Sequence, residues 1–183
     1  MRQSYVEAGL LGERFMFAIK GRPDPSRAIL LTGSGRSGTT WITDILASSP
    51  GIQLIFEPLF PMWSREVEDL TGWHETDQEV HSSHIRSYYL RATGNYPGWE
   101  RYLPRVLEGK IRNYWTDYRR DAFFPSRFLF KFVRANLMLG NIYENFKPKI
   151  VYTIRHPCAV VASRMAISWH VDVAGYLGSR STG

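Results

Sequence analysis

Nine consecutive residues, Gly33-Ser34-Gly35-Arg36-Ser37-Gly38-Thr39-Thr40-Trp41, combine what an anionic ligand needs: backbone that turns tightly, hydroxyl donors and a guanidinium. The apolar run Ala28-Ile29-Leu30-Leu31-Thr32 precedes them and reads as a buried strand, and residues 39–48 continue as a helix. Strand, glycine-rich turn, helix is the context in which such a loop cradles a phosphate, because backbone N–H groups and the helix N-terminus converge on the ligand. Gly33 and Gly38 are separated by four residues, as in the loop of nucleotide hydrolases. Those hydrolases carry Lys directly after the last glycine, and this chain has Thr39 there, with its cation earlier at Arg36. No acidic strand end suited to holding magnesium is evident. A loop that merely turns is the bland alternative, and the strand and helix around it argue against that.

A second pair stands far along the chain. Arg155-His156-Pro157 follows the apolar run Ile150-Val151-Tyr152-Thr153-Ile154, and Ser163 comes eight residues after Arg155. A guanidinium offers a two-pronged fork to a phosphate, and a serine hydroxyl adds a donor. By themselves these residues say no more than that a helix starts at Pro157.

Together the two segments resemble the sulfotransferases, enzymes that use 3′-phosphoadenosine 5′-phosphosulfate (PAPS). The run Arg36-Ser37-Gly38-Thr39-Thr40-Trp41 is similar to that family's 5′-phosphosulfate loop, and Arg155 with Ser163 matches its 3′-phosphate pair in type and spacing. The resemblance implies that Arg36, Ser37, Gly38, Thr39 and Thr40 hold the 5′-phosphosulfate, that Trp41 closes the site, and that Arg155 and Ser163 hold the 3′-phosphate. It also implies an α/β three-layer sandwich with a mostly parallel sheet of the P-loop-like kind, and a reaction that needs no metal. The cytosolic small-molecule members place a histidine two residues after a strand-end lysine; here Lys131 is followed at that distance by Val133. The segments Phe56-Glu57-Pro58-Leu59 and Lys131-Phe132-Val133-Arg134 look more like the carbohydrate-type members. On that likeness Glu57 is the general base, Lys131 and Arg36 steady the charge on the leaving group and the transferring oxygens, and Arg134 contacts nucleotide or acceptor. The plain alternatives are a helix cap or an Arg36 ion-pair partner for Glu57, and a snorkelling strand-end side chain for Lys131.

The elements that must position these groups are legible in outline. Residues 1–20 read as an amphipathic helix with Leu10, Leu11, Phe15, Phe17 and Ile19 partly on one side, and Pro23 and Pro25 break it within residues 21–27. Strands are expected at 28–32, 52–56, 127–133 and 149–154. Helices are expected at 39–48, with Trp41, Ile42, Ile45 and Leu46 inward, at 135–146 and at 157–169. Between residues 60 and 126 lies an insertion rich in aromatics and arginines without a clean period, including Gly72-Trp73-His74, Tyr88-Tyr89, Asn95-Tyr96-Pro97-Gly98-Trp99 and Tyr114-Trp115. It reads as irregular helices and loops that either cap an acceptor or fill a core. Strands alternating with helices point to an α/β fold. The expected layout is one domain over 1–183, with its nucleotide-binding core at 28–170 and an N-terminal helix and linker at 1–27.

Bulk properties bound the rest. With 183 residues, 44% hydrophobic and 22% charged, the chain has ordinary globular composition. A net charge of +6 favours anionic partners without choosing among nucleotide, nucleic acid and sulfated polymer. Cys158 is the sole cysteine, which excludes an internal disulfide. His81 and His84 are three apart but lack an evident third ligand, and His74 and His170 are no more informative. No apolar run is long enough to span a membrane or serve as a leader, so a cytoplasmic protein is the expectation. The partners expected are the nucleotide donor and a small-molecule or glycan acceptor, with no nucleic acid. Members of the resembled family continue well beyond the second motif, so a chain ending at Gly183 reads as C-terminally truncated. The competing readings are a truncated or non-catalytic PAPS-binding module and, disfavoured by Thr39, a P-loop kinase or NTPase.

Overall fold

Four apolar pentapeptides build the sheet: Ile29–Gly33 (β1), Ile52–Phe56 (β2), Arg127–Lys131 (β3) and Lys149–Thr153 (β4). In each of the first three only the opening residue reaches solvent, the pattern of parallel strands covered on both faces. The structure, a computed structural model, describes residues 11–12, 15, 17–19, 21, 24–60, 66–67, 90–92, 96–113, 115–117 and 125–168. All described pairings are parallel and the order is β2-β3-β1-β4. The helix Thr39–Ala47 (α1) therefore crosses from β1 past one strand position to β2, and β3 later fills the gap.

Alternate residues of each strand face opposite layers, and the sequence supplies apolar side chains to both. Leu31, Leu54, Phe56 and Leu129 pack with Ile42, Leu46 and Ala47 of α1. Leu30, Ile55, Phe128 and Phe130 face the other way, onto Tyr102, Leu103, Val106 and Leu107 of the helix Trp99–Leu107 (α2) and Ile142 of the helix Leu139–Phe146 (α3). The result is the expected three-layer α/β sandwich with a parallel sheet and P-loop-like architecture. The helix Pro157–Met165 (α4) follows β4, with Pro157 at its first turn and His156 Nδ1 accepting from the Cys158 N–H.

Several expectations shift. Of the four α1 residues read as inward, Ile42 and Leu46 pack on the sheet, but Trp41 is 71% exposed and Ile45 also faces solvent. Their places are taken by Thr43, fully buried with its hydroxyl satisfied by the Thr39 carbonyl at 2.7 Å. β3 and β4 stop at Lys131 and Thr153, and α3 begins only at Leu139, because residues 134–138 turn. α4 is described to Met165, and Trp169 lies outside the described residues. Leu11, Phe15 and Ile19 are exposed, while Phe17 packs on the core.

The 60–126 insertion contributes α2, which the sequence does not announce. Pro104 lies inside it, and its ring and missing N–H work against a helix interior. Burial of Tyr102, Leu103, Val106 and Leu107 outweighs that cost, and the Tyr102 hydroxyl donates to the Pro58 carbonyl at 2.7 Å. For this part of the insertion the core-filling reading holds. Gly72-Trp73-His74, Tyr88-Tyr89, Asn95 and Tyr114 lie outside the described residues, as do His81, His84 and His170. No helix among the described residues is long and apolar enough to cross a membrane.

Candidate active site

The glycine-rich loop, Glu57, Lys131 with Arg134, and Arg155 all lie at or just past the C-terminal end of a strand. β1 runs into Gly33–Gly38, β2 into Glu57, β3 ends on Lys131 ahead of Arg134, and β4 leads to Arg155. In a parallel sheet those ends share one edge, beside β1 at the point where the chain passes from one side of the sheet to the other. A cleft of about 350 Å³ opens there, lined by Gly35, Arg36, Gly38, Thr39, Thr40 and Trp41 from the loop and α1. Its other walls are Glu57, Lys131, Val133, Arg134, Arg155 and Ser163. The volume falls within the range of small-molecule sites, about 300–1,000 Å³.

The loop is shaped by close approach as much as by its turn. A Cβ on Gly33 would collide with the Thr153 hydroxyl and backbone carbonyl, so only glycine lets β1 end against β4. Gly38, at φ 88°, takes the left-handed conformation that starts α1. Among the described residues no side chain caps that helix, which leaves its first-turn N–H groups available to a ligand in the cleft. Ser37 turns inward: it is 8% exposed, its N–H and hydroxyl both donate to Ser34 O, and its Oγ lies 3.0 Å from Thr153 Oγ1. Arg36 adopts φ 72° and sends its Nε to Ser163 Oγ at 3.0 Å, across 127 residues of sequence. Arg155 Nη1 donates to Arg36 O at 3.1 Å.

The second part of the cleft is a carboxylate between two cations. Glu57 Oε1 lies 2.9 Å from Lys131 Nζ and Oε2 lies 2.9 Å from Arg134 Nη1, with all three side chains nearly buried. Lys131 Nζ also donates to Thr40 Oγ1 at 3.1 Å, joining this group to the loop. Aromatic faces back both cations: Nζ of Lys131 is 4.2 Å from the Phe56 ring centre, and the Arg134 guanidinium 4.2 Å from that of Phe60. Trp115 stacks on Phe60 and meets Phe56 edge-on.

Glu57 itself is held at φ 39°. Such a conformation in a non-glycine residue costs about 1–3 kcal/mol and persists only where the surroundings enforce it. Here the Glu57 N–H donates to Lys131 O, the Phe60 N–H closes a turn on Glu57 O, and Phe56 N–H reaches Thr116 O. Arg36 and Glu57 are thus two of the four described non-glycine residues with positive φ, and both line the cleft.

The structure brings Arg36, Gly38, Thr39, Thr40, Trp41, Arg155, Ser163, Glu57 and Lys131 to one cleft. Ser37 is the exception: its hydroxyl serves the loop. The plain alternatives for the two catalytic candidates do not describe this geometry either. Glu57 pairs with Lys131 and Arg134 in place of Arg36, and Lys131, 4% exposed, does not snorkel. Sequence reading passes over Thr153 and Arg164. Both contact the loop, and their only signal is position, one at the end of β4 and one beside Ser163.

Among the described residues, four cations and one carboxylate surround an uncapped helix N-terminus, a cleft suited to an anion on a P-loop-like α/β fold. The model of the family described as Sulfotransferase family matches residues 28–181. The chain belongs to the sulfotransferase family, whose general activity is transfer of a sulfuryl group. Comparison with curated proteins and with solved structures gives no match.

Proposed function

We propose that the protein transfers the sulfuryl group of PAPS to a hydroxyl or amine of an acceptor, with a carbohydrate as the acceptor class. The observation that carries the reading is the 3.0 Å contact between Arg36 and Ser163. It puts the residues suited to a 5′-phosphosulfate next to those suited to a 3′-phosphate, so one doubly anionic nucleotide can engage both. On this reading the Gly38, Thr39 and Thr40 amides and the Arg36 guanidinium receive the 5′ end, Arg155 and Ser163 receive the 3′-phosphate, and the exposed Trp41 indole closes over the nucleotide.

The reaction forms a bond from acceptor oxygen or nitrogen to sulfur as the bond from sulfur to the 5′-phosphate oxygen breaks. Glu57 takes the acceptor proton, and the electron pair leaves with 3′,5′-adenosine bisphosphate (PAP). Lys131 and Arg36 neutralise charge on the departing and transferring oxygens. Lys131 is suited to this because it already spans Glu57 and Thr40, the acceptor and donor sides of the cleft. The carbohydrate assignment rests on the likeness of Glu57-Pro58 and Lys131-x-x-Arg134 to that branch of the family.

Calorimetric titration with PAP and, in parallel, with magnesium-ATP tests the donor. PAP is expected to bind in preference, and Arg155→Ala to weaken it by at least about tenfold, the loss of one charge-assisted hydrogen bond. Preference for ATP, or indifference to Arg155, refutes the reading. Transfer of labelled sulfate from PAPS to sugars, phenols and lipids then identifies the acceptor; binding without transfer to any of them favours a non-catalytic module.

A further inference from the structure

The glycine-rich loop is gripped from outside the cleft by Arg164, a residue to which the proposed reaction gives no role. Arg164 Nη2 donates to Gly35 O at 3.3 Å, one residue before the carbonyl that Arg155 holds. Arg164 is half-buried and does not line the cleft, whereas Gly35 and Arg36 do. A trans peptide unit carries its N–H opposite its C=O. Fixing the Gly35 carbonyl toward Arg164 therefore turns the N–H of the same unit, that of Arg36, to the cleft side. Among the described residues nothing accepts that N–H.

This peptide also needs outside support. Arg36 has φ 72°, a conformation an arginine does not choose for itself, and among the described residues the backbone turn closing over the peptide is Ser37 N–H to Ser34 O at 3.1 Å. A guanidinium on the carbonyl both orients the unit and polarises it, making its N–H a stronger donor.

We propose that Arg164 is a positioning residue. It locks the Gly35–Arg36 peptide so that the Arg36 N–H meets the anionic 5′ end of the ligand, and it does not itself touch the ligand. The assignment of that end to a 5′-phosphosulfate rests on the proposed function; the grip on the loop does not. Through Ser163 and Arg164, adjacent on α4, the helix then serves both ends of one nucleotide.

The test compares the wild-type chain with Arg164→Met, which keeps an apolar stem and removes the donor, and Arg164→Lys, which restores one donor. In the ligand-free protein, amide exchange at Ser37 is expected to speed up in Arg164→Met and to recover in Arg164→Lys, with melting of all three unchanged. Affinity for adenosine 5′-phosphosulfate is expected to fall about tenfold in Arg164→Met while that for adenosine 3′-phosphate stays within about twofold, and the lysine variant regains most of the loss. Unchanged Ser37 exchange overturns the proposal, and so does equal weakening of both nucleotides, which means that Arg164 contacts the 3′ end or supports the fold generally. A wild-type chain that binds neither nucleotide defeats the proposed function, while the exchange measurement still decides the role of Arg164.

Discussion

Glu57 is bonded on both oxygens at 2.9 Å, one to Lys131 and one to Arg134, and is held at a backbone angle glutamate rarely adopts. That arrangement does two things, and two substitutions separate them. Glu57→Ala removes the carboxylate that two nearly buried cations share, and removing one partner of such a network costs about 3–5 kcal/mol. Denaturant titration should show that loss; an unchanged midpoint would mean that solvent screens the network. Glu57→Gln keeps the shape and removes the carboxylate proposed as the base. Its turnover, measured where the variant is still folded, is expected to fall by at least about 100-fold, the lower end for general-base removal. Unaltered turnover would take the base assignment away from Glu57. Lys131→Ala cannot make this separation, since it disturbs Glu57 and Thr40 together.

The turn that buttresses the end of β2 carries its own pH signature. Thr116 O receives the Phe56 N–H, and the neighbouring Asp117 pairs with Arg112 at 2.8 Å, both side chains nearly buried. Burial raises the Asp117 carboxyl above the usual aspartate range, against the opposing pull of the Arg112 guanidinium and its hydrogen bonds from Arg112 and Thr116. The folded protein then binds this proton more tightly than the unfolded chain does. The contribution to stability is full below the unfolded value and is lost as pH rises through the folded one. The stability margin of the wild type over Asp117→Asn should therefore shrink as pH rises through the acid range. Urea titrations at several pH values check this, and a widening margin would show that pairing with Arg112 outweighs burial.

Across the whole molecule, the cleft draws on the ends of all four strands, so the sheet and the site are one mechanical unit. β1 pairs β3 on one side and β4 on the other, and each delivers a segment to the cleft. A ligand that binds only the folded state stabilises it by about 2.7 kcal/mol at a hundredfold excess over its Kd. Saturating PAP is expected to slow amide exchange in β1, β3 and β4 together. Protection confined to the loop would show that the site opens independently of the sheet.

Local chemistry makes the glycine-rich loop and the Arg155–Ser163 pair legible in the sequence. A strand, a glycine-rich turn and a helix are contiguous along the chain, and Arg155 and Ser163 lie within one strand–helix step, so residue type and spacing define both groups. The parallel α/β plan is legible for the same reason: continuous apolar pentapeptides such as those holding Leu30-Leu31 and Leu54-Ile55 have to be covered on both faces. Other features depend on contacts between distant segments, and no local pattern encodes those. α2 forms despite Pro104 because it covers the Phe128–Phe130 face of the sheet. Trp41 faces outward because the buried side of α1 is set by where the sheet lies. Ser37 turns inward because β4 delivers Thr153 to it, and Glu57 sits between two cations because β3 was inserted beside β2. Sequence by itself determined which groups are suited to an anion; the order of strands decided which of them share the cleft.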